Sequence, residues 1–383
     1  MKKILSLLLI LLLCGCYNYK ELNKIAIVSS IAIDKKDNKY LVSAQIMNAK
    51  SENNTESSKI IVYSEKGKTI NEALRNMTKK SPRMLYGGHI GKLVISEEIA
   101  KEGIINVIDI FQRLTEIKDE FTITIAKGID ASKVIKIMTN PDDVTAEYVK
   151  YTIENADIES ALTYSSKLDE FVSFYLRDDI DPVISVIEVK NYNENSNTLK
   201  NTNTSSPETK IILDNIAITY NGKLEDFLNE NETIGYNFIR NKINQMIIPI
   251  KCDNNFYSSI SVSKSKTKTS VKKKKKKYSI IFDINTTGVI TEYNCKCDLT
   301  NEKTINELQN LTERKIKKYI NSVLKKQENT KSKFLGLKRI IYLDYPDYKK
   351  DDFDIKTNVH VNLSRKGEIR NSSKGAKYEY KNK

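Results

Sequence analysis

Hydrophobic and polar positions follow three different rhythms along the chain. Residues 4 to 13 are apolar apart from Ser6, follow Lys2 and Lys3, and lead into a small-residue junction at Gly15. That run is shorter than the roughly 20 residues a helix needs to cross a bilayer, and its order, basic then apolar then small, is that of an export leader. Beyond it, IAIVSSIAID (25–34) and YLVSAQIMNA (40–49) predict two strands around the turn KKDN, with KIIVYSEKG as a third. TINEALRNMTKK carries helical spacing. Thr69 is placed to cap it, with Glu72 at the capping-box position. GKLVISEEIAKEGIINVIDIFQR then reads as strand followed by helix, FTITIAKG as a strand, and Asp130 as the cap of a short helix running to Met138.

These elements predict an α+β protein of three mixed α/β domains, each a mixed or antiparallel sheet packed with helices, behind a signal peptide at 1–15. The first domain, with its tether, covers 16–140 and ends at the breaker Asn140-Pro141-Asp142-Asp143. The second covers 141–250. Leu168, Phe171, Val172 and Tyr175 recur at helical spacing there, the strands VISVIEV and IILDNIAITYNGK can pair, and IGYNFIRNKINQM is helical. Between its strands, residues 191–210 offer almost nothing apolar to bury and predict a flexible loop. In the third domain, 251–383, two long strand-like runs flank Lys272–Lys277. Ile305, Leu308, Leu311, Ile316, Ile320 and Val323 then mark a long amphipathic helix, TNVHVNLSRKG closes the fold, and a polar tail follows.

The leader ends in Leu13-Cys14-Gly15-Cys16. This resembles a bacterial lipobox, in which cleavage after a small residue leaves a cysteine that takes a diacylglycerol by thioether linkage. Cys16 is therefore the expected lipidation site, S-diacylglyceryl with a further N-acyl chain as an option, and Cys14 leaves with the leader. Two acyl chains hold a protein on a bilayer where one is marginal. An ordinary secretory signal is the alternative reading, but a scarce residue falls where the apolar run stops.

Composition narrows the rest. With 29% charged residues and a mean hydropathy of −0.47, the 383-residue chain reads as soluble beyond its leader. Lys and Arg number 63 against 49 Asp and Glu. A basic surplus on an exported protein suits an anionic lipid surface at least as well as nucleic acid, and no nucleic-acid partner is expected, since the lysine run has no aromatic residue within it. The run itself reads as a solvated hairpin tip, with contact to anionic headgroups as the functional alternative.

Candidate chemistry is sparse. Beyond the leader stand Cys252, Cys295 and Cys297, too few for a disulfide scaffold. Free thiols are the favoured reading, with a cross-strand Cys252–Cys297 bond conceivable if the lysines form a hairpin tip. His89 and His360 lie far from them in sequence and no fourth ligand is evident, so no metal and no cofactor are expected. GGHIGKL (87–93) falls one residue short of phosphate-loop spacing and lacks the hydroxyl residue, leaving His89 as a turn residue. DYPDYKKDDFD (344–354) lacks the glycine and terminal glutamate of a calcium loop and reads as a solvated connector. No G-x-S-x-G elbow or zinc-protease motif occurs, so no enzyme is expected.

Several segments carry a resemblance, in order, along nearly the whole mature chain. GCYNYKELNKIAIVSSIAID is similar to the start of the Ger(x)C family, the lipoprotein C subunits of nutrient germinant receptors in endospore-forming bacteria. SPRMLYGGHIGKLVISEEIAKEGI, LDNIAITYNGKLEDFLNENETIGYNFI, FLGLKRII and NVHVNLSRKGEI resemble later family segments. Tyr17 and Asn18 stand where Trp and Asp are usual. The resemblance implies a noncatalytic lipoprotein of three mixed α/β domains on the outer face of the spore inner membrane, required for nutrient-triggered germination. Its partners would be the integral-membrane A and B subunits and, through its acyl anchor, membrane lipid. Whether it binds germinant directly is left open. The alternative from another class is the solute-binding lipoprotein of an ABC importer, which shares leader and anchor.

Overall fold

The computed structural model describes residues 24–48, 60–138 apart from 115 and 119, 160–253, 256–295 apart from 276, 301–348 and 352–365, with 21, 152, 155 and 299 as single positions. The leader, Cys14 and Cys16, Cys297 and the C-terminal tail lie outside the described residues. Strand β1 (Ile25–Lys36) turns antiparallel into β2 (Lys39–Met47). Asp37 and Asn38 both take positive φ, 52° and 57°, so the turn's twist matches that of the strands it joins. Strand β3 (Ile60–Gly67) pairs with the far side of β2.

Helix α1 (Ile70–Met77) starts as expected, the Thr69 side chain accepting from Glu72 N at 3.1 Å. Glu72 reaches back to Lys68 N at 2.7 Å, one residue before the usual capping-box donor. Strands β4 (Met84–Tyr86) and β5 (Lys92–Ser96) both run parallel to β1. Helices α2 (Glu97–Gly103) and α3 (Ile105–Arg113) then return the chain to β6 (Thr122–Ala126). Every residue of β5 and β6 is buried, because helices cover both faces of these central parallel strands.

On one face, Ile33, Leu93, Ile95, Ile123 and Ile125 pack under α1, α2 and α3. On the other, Ala32, Val94 and Ile187 pack against α4 (Ala131–Val134) and the turn after it. Helix α4 is shorter than expected, and Asp130 sits at its cap without a side-chain hydrogen bond. Instead Asp34, buried on β1, accepts from Ala131 N at 2.6 Å and Ser132 N at 2.8 Å. Helix α5 (Leu168–Tyr175) completes the cover of the first face and leads to β7 (Val183–Lys190).

The sheet does not stop at the boundary expected at 140/141. Strands β6 and β7 lie on either side of that boundary and are hydrogen-bonded neighbours, Thr124 opposite Ser185. Residues 191–210 also differ from the flexible loop expected. A 3-10 turn (Glu194–Asn197) is boxed by Asn193 and Ser196, and α6 (Leu199–Thr202) follows it. Asn201 Nδ2 donates to Met138 O at 2.8 Å, and the Ser196 and Thr209 hydroxyls stand 2.6 Å apart. The segment is held by its own polar side chains, which an apolar-burial criterion misses. Beyond it β8 (Lys210–Tyr220) pairs antiparallel with β7, and β9 (Lys223–Leu228) with β8. The sheet order is β3-β2-β1-β5-β6-β7-β8-β9, with β4 beside the start of β1.

Among the described residues, the middle segment shares the cores of its neighbours. Ile184, Val186 and Ala217 join the first core, whereas Val183, Ile216 and Ile218 pack with the C-terminal one. Helix α7 (Glu230–Ile239), expected to close a middle domain, packs on the C-terminal helix α8 (Glu302–Glu328). They approach so closely at Gly235 that a Cβ there would stand 2.7 Å from the Tyr319 carbonyl carbon and nearer still to its oxygen. The second sheet has the order β10-β11-β12-β13: β10 (Met246–Asp253), β11 (Phe256–Lys274), β12 (Lys277–Tyr293) and β13 (Phe353–Arg365). The first three are antiparallel and β13 is parallel to β12. Helices α7, α8 and α9 (Leu337–Asp344) cover one face. Along the free side of β13, Gln309 and Glu313 of α8 accept from Leu363 N and Val361 N at 3.0 and 3.1 Å, which shields an edge otherwise open to pairing.

Candidate functional site

The sequence singles out five places. Cys16, the expected lipid site, lies outside the described residues; the described chain emerges at Lys24 and enters β1 at Ile25. Among the described residues no helix is long and apolar enough to cross a membrane, and no group of three or more His, Cys, Asp or Glu side chains is placed to hold a metal ion.

The GGHIGKL segment connects strands. Gly91 N donates to Ser29 O at 2.9 Å and Gly91 O accepts from Thr122 N at 3.1 Å, so its backbone ties β1 to the start of β6. His89 is exposed at the turn, its ring edge-on to Tyr86 with centroids 6.0 Å apart.

Cys252 and Cys295 form a disulfide with Cα atoms 6.1 Å apart. This corrects the free-thiol reading for Cys252 and Cys295 and the Cys252–Cys297 pairing, Cys297 lying outside the described residues. Counting outward from the lysine turn assumes one uninterrupted strand back to Cys252. The chain instead reverses between Asp253 and Phe256, which are cross-strand partners, so Cys252 belongs to β10 and meets Cys295, two residues past the end of β12.

The lysine run forms the tip of the β11–β12 hairpin. Lys274 and Lys277 are the last pair, Lys275 takes a positive φ of 56°, and Lys272, Lys273, Lys274, Lys275 and Lys277 are all exposed. The acidic 344–354 segment is more than a solvated connector. Tyr345 and Tyr348 set their rings 5.2 and 4.8 Å from that of Tyr278, and Lys273 Nζ stands 5.2 Å over Tyr278 and 5.5 Å over Tyr345. The spacing of those tyrosines was the available signal, hidden among the acids around them.

Two features escaped the sequence altogether. A cavity of about 470 Å³ opens between β1, α1 and the β4 segment, with Val28, Ile31, Leu74 and Leu85 inside and Arg75 and Arg113 at its mouth. A polar clasp joins the two sheets' units. Glu225 accepts from Lys331 N and Ser332 N, both at 2.8 Å, and Asp181 accepts from Lys333 N at 2.7 Å. Burial raises the Asp181 carboxyl above the ordinary range, as it does that of Asp34. Burial likewise raises the Tyr236 phenol to about 12. None of these groups is paired with a nucleophile.

A family model described as "Spore germination protein N-terminal domain" matches residues 18–189, and one described as "Spore germination B3/ GerAC like, C-terminal" matches 214–373. Spore germination protein KC of Bacillus subtilis (strain 168) is 26% identical over 355 residues, covering 90% of this chain and 87% of that protein. Spore germination protein B3 of the same organism is 23% identical over 348 residues, covering 89% and 88%. The crystal structure of the GerBC protein aligns with a TM-score of 0.48 and 18% identity, over 87% of this chain and 96% of that one. The first model spans the strands from β1 to β7 and the second those from β8 to β13, and on that evidence the chain belongs to the GerAC-like family of spore germination proteins.

Proposed function

We propose that this protein is the membrane-anchored C subunit of a germinant receptor, required for nutrient-triggered spore germination. In this reading it is exported, S-diacylglycerylated on Cys16, and held on the outer face of the spore inner membrane beside the integral-membrane A and B subunits. It works by assembly and not by catalysis. The observation that carries the proposal is the pair of germination-family models running in order across residues 18–189 and 214–373. The expected leader, ending at Gly15 before Cys16, supports the anchor, and relatives matched over nearly their full length bear germination names.

Membrane residence then rests on acyl chains, which contribute about 0.8 kcal/mol per buried methylene. Cys16→Ala should block lipid transfer, leave the leader uncleaved and abolish the nutrient response of spores. Cys14→Ala should leave all three unchanged, since that residue departs with the leader. Fractionation of both variants, with mass spectrometry of the N-terminal peptide, tests this. An unmodified Cys16 in the mature wild-type protein would overturn it.

A further inference from the structure

The large exposed apolar side chains among the described residues fall into groups: Ile247, Phe256 and Tyr257 stand together on the β10–β11 hairpin of the second sheet, far from any lysine run, and the others lie elsewhere. Met47, Ile61, Met84 and Leu176 are 41, 40, 43 and 75% exposed. All four lie at one end of the first sheet, and the pairing shows why. Met47 ends β2 beside the start of β1, Ile61 pairs with Ile46, and Met84 pairs with Ile25 itself. Leu176 ends α5 just before the segment that enters β7, whose start lies at the same end because β1, β5, β6 and β7 are parallel. This is the end from which the N-terminal chain emerges. Cys16 stands nine residues before Ile25, a reach of about 30 Å when extended.

Helix α9 docks at that same end. Asp181 accepts from Lys333 N at 2.7 Å, Arg339 reaches Asp179 at 3.5 Å, and Gly336 at the helix start faces Ile180. At its other terminus α9 exposes Tyr342 and Leu343, 50 and 64% open to solvent. The chain then runs through Tyr345 and Tyr348 onto Tyr278 at the base of the lysine hairpin. Phe353, the first residue of β13, is level with Tyr278, so the Lys274–Lys277 rung and Lys275 project beyond that sheet edge. Edge protection accounts for lysines along a strand. It does not account for the tyrosines and leucines beside them.

Basic residues next to exposed Tyr, Leu and Met match the chemistry of a bilayer interface, where lysine meets phosphate and amphipathic rings sit at headgroup depth. We infer that the end of the molecule carrying Ile25 rests on an anionic bilayer, with Met84, Leu176, Tyr342 and Leu343 at headgroup depth and the β11–β12 tip against lipid phosphates. Acids are present as well: Asp344, Asp347, Asp352 and Asp354 border the hairpin base. Asp354 lies on the sheet side of the tip and Asp352 stands level with Lys277, while Lys274, Lys275 and Lys277 are all exposed and basic.

The inference rests on the anchor proposed above, and a test can separate the two. The chain contains no Trp, so one introduced fluorophore reports its own surroundings. The mature acylated protein is reconstituted on vesicles carrying Leu343→Trp, Leu176→Trp or, as a control at the far end of the second sheet, Tyr257→Trp. On brominated phosphatidylglycerol, the first two should shift to the blue and lose most of their emission, while the control should not. The effect at Leu343→Trp should be lost in 1 M salt, where the screening length falls to about 3 Å, and when the tip lysines are replaced by serine. Either probe left unquenched overturns the inference. So does quenching that is equal on neutral phosphatidylcholine, or shielding that appears without vesicles and grows with protein concentration, which would mean self-association. Co-flotation with neutral phosphatidylcholine depends on the acyl chains alone, so its failure counts against the anchor and not against this surface.

Discussion

Replacing Gly235 tests the account of how the C-terminal core is built. Gly235 lies inside α7, where alanine would ordinarily stabilise a helix by about 1 kcal/mol. Here the added methyl would meet the backbone of α8, 2.7 Å from the Tyr319 carbonyl carbon, with Val323 Cγ1 at 3.0 Å on its other side. No side-chain rotation relieves a clash with main chain, so the helices must part. Overpacking of a closed core costs about 1–3 kcal/mol, and a backbone obstacle puts this site at the upper end. Net of the propensity gain, Gly235→Ala should lose about 2 kcal/mol, or roughly 4 °C in melting midpoint. Gly91→Ala is the matched control. Its Cβ would meet only Ser29 O at 3.8 Å, and reduced freedom in the unfolded chain should leave it neutral or better by about 0.5 kcal/mol. Both are measured by denaturant titration with circular dichroism. If Gly235→Ala proves as stable as Gly91→Ala, the close approach of α7 to α8 is wrong.

Other tests address the disulfide and the buried carboxylates. Cys252→Ser or Cys295→Ser opens a loop with a sequence separation of 43, worth about 4 kcal/mol by chain entropy. Denaturation should show that loss in both variants and none in Cys297→Ser; equal losses in all three would refute the pairing. Burial raises the Asp34 carboxyl above its ordinary value of 3.8 despite the opposing hydrogen bonds from Ser132 and Ala131. A raised folded value means the folded protein holds this proton more tightly. The contribution is therefore complete below 3.8 and lost as pH rises through the folded value. The stability advantage of wild type over Asp34→Asn should be largest in acid and shrink with rising pH, and the opposite slope in pH-dependent denaturation would refute the assignment.

Much of this protein is legible without coordinates, because the signals are local. The KKDN turn, the Thr69 cap, the alternating strands of the first sheet, the long helix later found as α8 and the lysine hairpin tip all depend on neighbours within a few residues. The expected leader and the proposed Cys16 junction are likewise read from consecutive residues, as are the segments that carry the family resemblance. What tertiary structure decided is every feature made by residues far apart. Pro141 looks like a domain edge from its own sequence, yet β6 and β7 pair across it because a parallel ladder needs no short connection. Asp34 caps a helix 97 residues away, where local propensity nominated Asp130. Cys252 pairs with Cys295 because Asp253 and Phe256 are cross-strand partners, which puts Cys252 on a different strand from the one leading to the lysine tip. The apolar rim at the β1 end draws on Met47, Ile61, Met84 and Leu176, which have nothing in common in sequence. Sheet pairing, and for Leu176 the return of α5 to the start of β7, brings them to the end of the molecule where β1 begins.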